Sequence, residues 1–548
     1  MTRDRPRIGV RALVVSVLAA WLLAGHVGAE QRPAQAGEPI YRQGLLPSGR
    51  PLTATRSAGL RISGADAACS NCHRRSGLGE IDGRIVIPPI SGPYLFHPRA
   101  KDRDDLDLPF VEGMQPDRDP YTDASLARAI REGIGADGRP LSYLMPRYAL
   151  NDADMALLIG YLKGLMPTHV PGVTDTVLHF ATIITPDADP VKRQGMLDVM
   201  DHFFADKNAF VRAASPRMSS PHRMMFKANR RWQLHVWQLN GPPDIWEKQL
   251  REYMDHEPVF AVISGLGGRN WEPVHRFCEQ ASLPCLFPNV DLPVVAERDF
   301  YSLYFSKGVL LEAELLAHRL TADQTTPGSR RIVQVFRADD IGEAAARALR
   351  SATTGAGFEV VDRVLGKAGD QPQLAAALGD LSPRDALVLW LRPTDIDMLA
   401  TLPVPPSQDF MSGLMGGLGS SPLSAAWRAE THIAYPFDLP EKRRIRMDYP
   451  LGWFAIRHIA LVDERVQADT YLACGLISET LSHMADSFMR DYLVERVEGM
   501  LEHRIITGYY PRLALAPNER FASKGGFIVH FAQPTGAQLT ADTDWLVP

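Results

Sequence analysis

Two kinds of periodicity divide the chain. From residue 177 onward, short apolar runs alternate with stretches whose apolar positions recur every three or four residues. The runs are 177-VLHFATIITP-186, 232-WQLHVWQLNG-241, 258-PVFAVISGLGG-268 and 284-PCLFPN-289, then 331-RIVQVFRADD-340, 358-FEVVDRVLG-366 and 386-ALVLWLRP-393. Between them lie a helical stretch to about 205, 245-IWEKQLREYM-254, a helix from Trp271, 342-GEAAARALRSA-352 and 375-AAALGDL-381. Short apolar runs bounded by turn residues read as buried strands, and the three-to-four spacing reads as amphipathic helix. Strands alternating with helices predict parallel sheets with right-handed crossovers, and two successive series predict two lobes.

The front of the chain has a different pattern. Rich in Gly, Pro and Arg, it shows helical spacing in 123-DASLARAIREGI-134, with Asp123 as N-cap, and in 152-DADMALLIGYLKGL-165, with Asn151 as N-cap. A third helix runs through residues 67–80, and no strand pattern stands out. The stretch 164-GLMPTHVPGVTD-175 carries two prolines and two glycines and marks a boundary. The expected organisation is a removable segment over 1–29, an all-α domain over 30–168, a linker over 169–176 and a two-lobed α/β domain over 177–548.

The removable segment has Arg3, Arg5, Arg7 and Arg11, then the apolar run 12-ALVVSVLAAWLLAG-25, then Val27-Gly28-Ala29. That is the pattern of a secretory signal peptide cut after Ala29; the run falls short of the roughly 18 residues of a membrane span. An uncleaved anchor is the competing reading. An exported protein of a bacterial periplasm is expected, without stable membrane insertion. The formal charge is −5, and removing 1–29 takes away four arginines and one aspartate, leaving about −8. That balance argues against nucleic acid as a partner.

Five cysteines occur: Cys69, Cys72, Cys278, Cys285 and Cys474. The first two stand in 67-AACSNCHRRSGLGE-80, followed directly by His73. Two thiols three apart on a helical turn can each add to a vinyl group of one haem, and the next residue, a histidine, then stands under the iron. The spacing C-x-x-C-H is a c-type haem attachment signal. A structural zinc would want four ligands, and a redox C-x-x-C would open a helix after a strand; neither context is present. For the other face of the iron, Met145 in 138-GRPLSYLMPRYAL-150 is the candidate, with Met114 in 112-EGMQPD-117 as runner-up; Met155 and Met166 fit a helix better. If Met145 only packs against the ring, an open iron and peroxidase-like chemistry follow. Arg74, Arg75, Arg84 and Arg147 are candidate propionate partners.

Residues from about 38 to 167 resemble a class I cytochrome c domain, through 69-CSNCH-73, Gly77-Leu78-Gly79, Pro88-Pro89, Met145-Pro146 and a closing helix ending at Tyr161-Leu162. The resemblance implies one covalent haem c held by Cys69, Cys72, His73 and Met145. It also implies a carbonyl from Pro88 or Pro89 oriented at the proximal histidine. The segment 94–122, with its run 101-KDRDDLDLPF-110, departs from the family.

In the back domain, ligands are expected at strand C-terminal ends. The candidates are Ser264, Gly265, Gly267 and Gly268 in 264-SGLGGRNW-271, whose N–H groups could meet an anion, with Asp339 beside Asp340, and Asp438 in 434-AYPFD-438. In 275-HRFCEQASLPCLFPN-289 a helix folding back on a strand brings Cys278 and Cys285 within reach of a disulfide; Cys474 reads as core. The region resembles the type I periplasmic binding proteins of the branched-chain amino acid class. The resemblance runs from 258-PVFAVISGLGG-268 and 284-PCLFP-288 through 335-VFRADDIG-342 to a closing hairpin over 512–531. It lacks a clear Ser/Thr pair for a carboxylate, for which Ser219-Ser220 is a substitute. No G-x-S-x-G, phosphate loop or H-E-x-x-H is present.

Together these features predict a periplasmic electron carrier rather than an enzyme, with a receptor-like domain for a small ligand or a redox partner, a dehydrogenase or oxidase. Fusions of this kind are similar to accessory proteins of pyrroloquinoline-quinone alcohol oxidation systems. The alternatives are a solute-binding or sensing protein for transport with an accessory haem, and a haem peroxidase-like enzyme.

Overall fold

The computed structural model describes residues 36–82, 85–96, 119–166, 169–214, 230–296, 298–322, 330–367, 369–484, 487–516 and 519–548. They fall into two compact units, one ending at Pro167 and one beginning at Thr168. The segment 1–29, Met114, Ser219-Ser220 and most of 94–122 lie outside the described residues.

The front unit is built on short helices, Glu38–Gln43, Ser70–His73 and Gly92–Phe96, and two longer ones, Asp123–Glu132 and Asp152–Lys163. Helix Asp123–Glu132 starts one residue before its expected cap: Thr122 accepts the Ser125 N–H, and Ser125 returns a bond to the Thr122 N–H. Asp123 instead places its charge in the first turn. Helix Asp152–Lys163 starts on Asn151, which accepts the Asp154 N–H at 2.8 Å. Ile40, Tyr41, Leu126, Leu158 and Leu162 meet in the core.

The unit is not all-α. Strands β1 (Thr53–Thr55), β2 (Arg61–Ser63) and β5 (Arg147–Tyr148) form an antiparallel sheet in the order β2-β1-β5, and β3 (Glu80–Asp82) pairs with β4 (Ile85–Ile87). Strands of two or three residues cannot display a period of two, which is why the hydrophobic pattern hides them.

The back unit has two sheets. In the first, β6 (Val177–Ile184), β7 (Arg231–Gln238), β8 (Ala261–Ile263), β9 (Cys285–Leu286) and β10 (Ser302–Leu303) run parallel in the order β10-β9-β8-β6-β7. In the second, β11 (Arg330–Arg337), β12 (Phe358–Leu365), β13 (Ala386–Trp390), β14 (Gln408–Ser412) and β15 (Thr431–Tyr435) are parallel. There β16 (Phe527–Phe531) and β17 (Leu539–Ala541) close the edge antiparallel, in the order β12-β11-β13-β14-β15-β16-β17. The alternation of strand and helix thus yields a two-lobed α/β unit. The hairpin expected over 512–531 is not formed as such: β16 pairs with β15 and β17, while Ala514 reaches back only to the Ala522 carbonyl.

The chain crosses between the lobes three times. It leaves β10 for the helix Val309–Ala322, which packs in the core of the second lobe. After β15 it returns to the first lobe, where helix Glu464–Ser482 lies against helix Pro190–Ala214 and Lys207 Nζ meets Ser478 Oγ at 3.1 Å. From helix Arg490–Glu502 it crosses again to β16. That last crossing is tied down by a buried ion pair: Arg520 donates to Glu498 at 2.7 Å and to the Phe300 carbonyl at 2.8 Å, with both charged side chains about 5% exposed. A buried charge stripped of its partner is strongly unfavourable. Glu498→Ala is therefore expected to cost about 3–5 kcal/mol, read as a lowered midpoint of urea unfolding for the back unit.

Candidate functional site

The front unit encloses a cavity of about 950 Å³, walled mainly by apolar side chains, onto which Cys69, Cys72, His73 and Met145 all open. Helix Ser70–His73 supplies the histidine. The loop behind it turns at Gly79, whose φ is +68° and whose Cβ, if present, would lie 2.0 Å from the Ile87 carbonyl oxygen. Only glycine fits there. The turn returns the Gly79 N–H to the His73 carbonyl and brings Pro88, not Pro89, under the ring: His73 Nδ1 lies 3.0 Å from the Pro88 oxygen. A carbonyl can only accept, so Nδ1 carries the proton and Nε2 the lone pair. Burial lowers the pKa of His73 to about 4 even though the Pro88 carbonyl pulls it up, so the ring is neutral at pH 7. Burial likewise pushes the Cys69 thiol up to about 12, against the pull of the Tyr148 hydroxyl, and raises Cys72.

The Met145 loop is held at two points. Ser57 Oγ donates to the Tyr143 carbonyl at 2.6 Å, and Arg147 donates to the Met145 carbonyl at 2.5 Å. Arg147 is thus turned to the backbone, and Arg74 lies 3.6 Å from Glu80; neither these nor Arg75 lines the cavity, and Arg84 lies outside the described residues. The basic residue on the cavity wall, among those described, is Arg56, which the sequence pattern did not single out.

The second site is a cleft of about 370 Å³ between the two sheets of the back unit. Every element that lines it is a strand C-terminal end, the loop after it or a helix start: Asp187 after β6, Gly267 to Arg269 after β8, Asn289 and Asp291 after β9, Arg337 at the end of β11 and Asp340 after it, Arg392 and Asp395 after β13, and Arg465. The charges are paired. Arg337 grips Asp395 through two bonds of 2.8 and 2.6 Å, Arg392 grips Asp340 through two of 2.7 Å, and Arg465 holds Asp291 at 2.8 Å. Burial would raise the Asp291 carboxyl, but Arg465, Lys192 and Arg392 hold it below the ordinary carboxylate range. Across the mouth, Arg269 reaches the Asp339 carbonyl at 3.5 Å.

Several expected ligand residues do other work. Ser264 is fully buried and bonds Asn289 and Thr470 inside the protein. Gly265 sits at φ +123° beneath Trp271. Gly267 and Gly268 do line the cleft, but not as an anion cradle: their N–H groups go to the Asn289 carbonyl and Thr185 Oγ1, and the Arg269 N–H goes to Asp187. Gly268 is there because a Cβ would meet the Asp187 carboxyl at 2.3 Å. Asp339 turns out to Lys367 at 2.7 Å, leaving the cleft to its neighbour Asp340. Asp438 is buried against Arg446 and the Leu439 N–H, away from the cleft.

Cys278 and Cys285 are buried free thiols; the expected disulfide is not formed. The helix does fold back on β9, but the two side chains meet through a thiol–thiol hydrogen bond in a sealed core, which with burial drives Cys278 well above an ordinary thiol. Beside them, His275 lies between Tyr304 at 2.7 Å and Asp299 at 2.5 Å, and the Glu279 carboxylate takes the N–H groups of Phe300, Tyr301 and Ser302. Among the described residues His275, Glu279 and Asp299 are the one group spaced for a metal ion, and each is already bonded within the fold. No helix among the described residues is long and apolar enough to cross a membrane.

No protein-family model matches the chain, and no curated protein matches it. Among solved structures, the chain is similar to a fatty acid ABC transporter substrate-binding protein from Thermomonospora curvata. The identity is 16% and the TM-score 0.49, over 69% of this chain and 94% of that one. It is similar to a possible leucine/isoleucine/valine-binding protein from Rhodopirellula baltica at 15% identity and a TM-score of 0.48, over 67% and 97%. A leucine-binding protein from Thermotoga maritima is similar at 11% identity and a TM-score of 0.48, over 68% and 99%.

In the second lobe, Glu312 caps the turn at Gly413–Gly416: it accepts from Ser412 Oγ and from the Leu414 N–H at 2.8 Å. Burial raises its pKa to about 8, with Ser412 and the Leu414 amide opposing and Asp291 adding to it. The folded state then holds a proton that the unfolded state releases at lower pH, so this group's contribution to stability falls as pH rises from about 4.5 to about 8. Glu312→Gln is expected to gain thermal stability relative to the native protein on going from about pH 5 to about pH 9; a difference that stays constant across that range would contradict the assignment.

Proposed function

We propose that the chain is an exported c-type cytochrome whose front unit carries single electrons and whose back unit is a receptor for a small polar ligand. The observation that carries this reading is the meeting of Cys69, Cys72, His73 and Met145 on one apolar cavity, with His73 Nδ1 committed to the Pro88 carbonyl. The donor set fits a covalently held haem: two thiols three apart, a neutral imidazole with its lone pair on Nε2, and a thioether. The cavity has the volume of a cofactor site.

When bound, haem c supplies a one-electron ferric/ferrous couple. The chain's own residues account for the rest. Cys69 and Cys72 would hold the group through two thioether bonds, and His73 and Met145 would be the residues that ligate its iron. The Pro88 carbonyl fixes the imidazole ring and increases its basicity. A Met ligand favours the reduced state and raises the potential. The apolar wall excludes water, and Arg56 offers a positive charge to a propionate.

In the back unit, the supporting observation is a cleft at strand C-terminal ends, the place where open α/β sheets take ligands. Its lining is charged yet internally paired, which suits a small polar molecule better than an apolar one. The partner of the front unit is read as a periplasmic dehydrogenase or oxidase, with a quinoprotein alcohol dehydrogenase as the chemistry of the electron donor. Residues 1–29 support export to the periplasm.

The optical spectrum of the exported protein tests the haem reading. A low-spin ferric spectrum with a sulfur-to-iron charge-transfer band is expected, and the band is lost in Met145→Ala. A high-spin spectrum in the native protein would overturn the electron-carrier reading in favour of a peroxidase-like site. Removing the positive charge at the cavity wall destabilises the protein's more negative redox state, so Arg56→Gln is expected to lower the reduction potential measured by spectroelectrochemistry.

A further inference from the structure

The Met145 loop gains little from burial. At its tip Tyr143 is 73% exposed and Leu144 45%. Two of its bonds stay inside the loop: the Met145 N–H goes to the Ser142 carbonyl at 3.1 Å and the Leu144 N–H to Ser142 Oγ at 3.2 Å. Such bonds shape a turn without fixing where the turn sits. A segment with few buried apolar contacts opens at low cost, so its position must come from groups outside the tip.

Arg147 supplies the tie at the methionine itself. Its guanidinium donates to the Met145 carbonyl at 2.5 Å. Its backbone is fixed in β5, where Arg147 pairs with Thr55 of β1. Its side chain is fixed at the end of helix Asp123–Glu132. That helix stops at Gly133, in the left-handed conformation with φ +74°, and a Cβ there would lie 1.9 Å from Arg147 Cζ and 2.0 Å from Nε. The guanidinium therefore fills the space that a side chain at Gly133 would take. A helix C-terminus carries partial negative charge, which suits a cation. The Leu141 N–H, bonded to the Gly133 carbonyl at 2.7 Å, closes the loop over the same cap. Ser57, just past β1, holds the tip instead, through the Tyr143 carbonyl.

We propose that Arg147, seated in the notch at Gly133, is the positioning residue that keeps the Met145 side chain on the cavity, and that losing this tie leaves the iron open to a small outside base. The proposal rests on the reading of the front unit as a haem c carrier. Competition between Met145 and an added base then reads the strength of the tie.

The test is a spectrophotometric titration of the exported, haem-loaded full chain with imidazole, alongside its sulfur-to-iron charge-transfer band and its reduction potential. Arg147→Met keeps much of the side chain and removes its donors. Gly133→Ala pushes the guanidinium out of its notch. Gly138→Ala is the control: it carries a similar backbone penalty, at φ +78°, with nothing within 4 Å of the added Cβ. Arg147→Met and Gly133→Ala are each expected to bind imidazole about 10-fold or more tightly than the native protein. Their charge-transfer band weakens and their potential falls, because a methionine ligand raises it. Gly138→Ala matches the native protein, and Arg147→Lys, which keeps a donor, lies between. Should Arg147→Met fail to accumulate, the two glycine variants decide alone. An Arg147→Met protein with native imidazole affinity and an intact band overturns the proposal and leaves the haem reading standing. Equal gains in Gly133→Ala and Gly138→Ala trace the effect to the backbone and overturn it as well. A native protein exported without haem, or with no charge-transfer band, overturns the proposal together with the reading beneath it.

Discussion

The hydrogen bond from His73 to the Pro88 carbonyl is the constraint on which the front unit is arranged. It needs a histidine ring buried beside a backbone oxygen fifteen residues on, and that needs the chain to reverse tightly after the helix. Gly79 makes the reversal possible, and Ile90, donating to the Gly77 carbonyl at 2.7 Å, keeps the returning segment in place. Desolvation then keeps the ring neutral, and the fixed tautomer aims the lone pair. Without that one contact the imidazole would be free to turn and would have no preferred nitrogen to present. The strands β1, β2 and β5 serve the other side of the same cavity, since β5 follows directly on Met145 and Pro146.

The back unit solves a different problem. Two sheets whose strand ends point into one cleft bring many charged loop residues together, and a buried charge must be paired or neutralised. The structure meets this with two-point Arg–Asp grips inside the second lobe, which hold planar groups in one geometry. Glycines 267 and 268 then allow the first lobe's loop to close onto Asp187 and Trp271 rather than to hold open an anion site.

The hydrophobic pattern made the alternation of strands and helices in the back unit legible, together with its two series, because buried strands and amphipathic helices write strong signals. It made less of the front unit, where strands are two or three residues long. The spacing of Cys69, Cys72 and His73 is local, so it could be read directly. The cleft was harder to read. Arg337, Asp340, Arg392 and Asp395 stand at or just past the ends of β11 and β13, where charged residues look like ordinary solvent loops; only the position of each at a strand C-terminal end hinted at a site. Asp291 and Arg465 are 174 positions apart and meet through tertiary structure alone. The Cys278–Cys285 expectation got the proximity from the fold-back of helix on strand but not the chemistry, since two sealed thiols can remain thiols.

One rule connects both units. A folded chain pairs nearly all the polar atoms that it buries, because an unpaired one forfeits the hydrogen bond that water would have given. In the back unit some crowded groups are fully paired: Glu279 takes three backbone N–H groups and Arg490 serves the carbonyls of Val259, Phe260 and Ala281. In the front unit the Pro88 contact leaves the imidazole lone pair for the cavity of about 950 Å³. In the back unit the hydroxyl relay from Ser264 to Thr470 to Val466 leaves the Asn289 oxygen on a small cavity beside the cleft. In each case a second residue of matching character opens onto the same space, Met145 in one and Asp469 in the other.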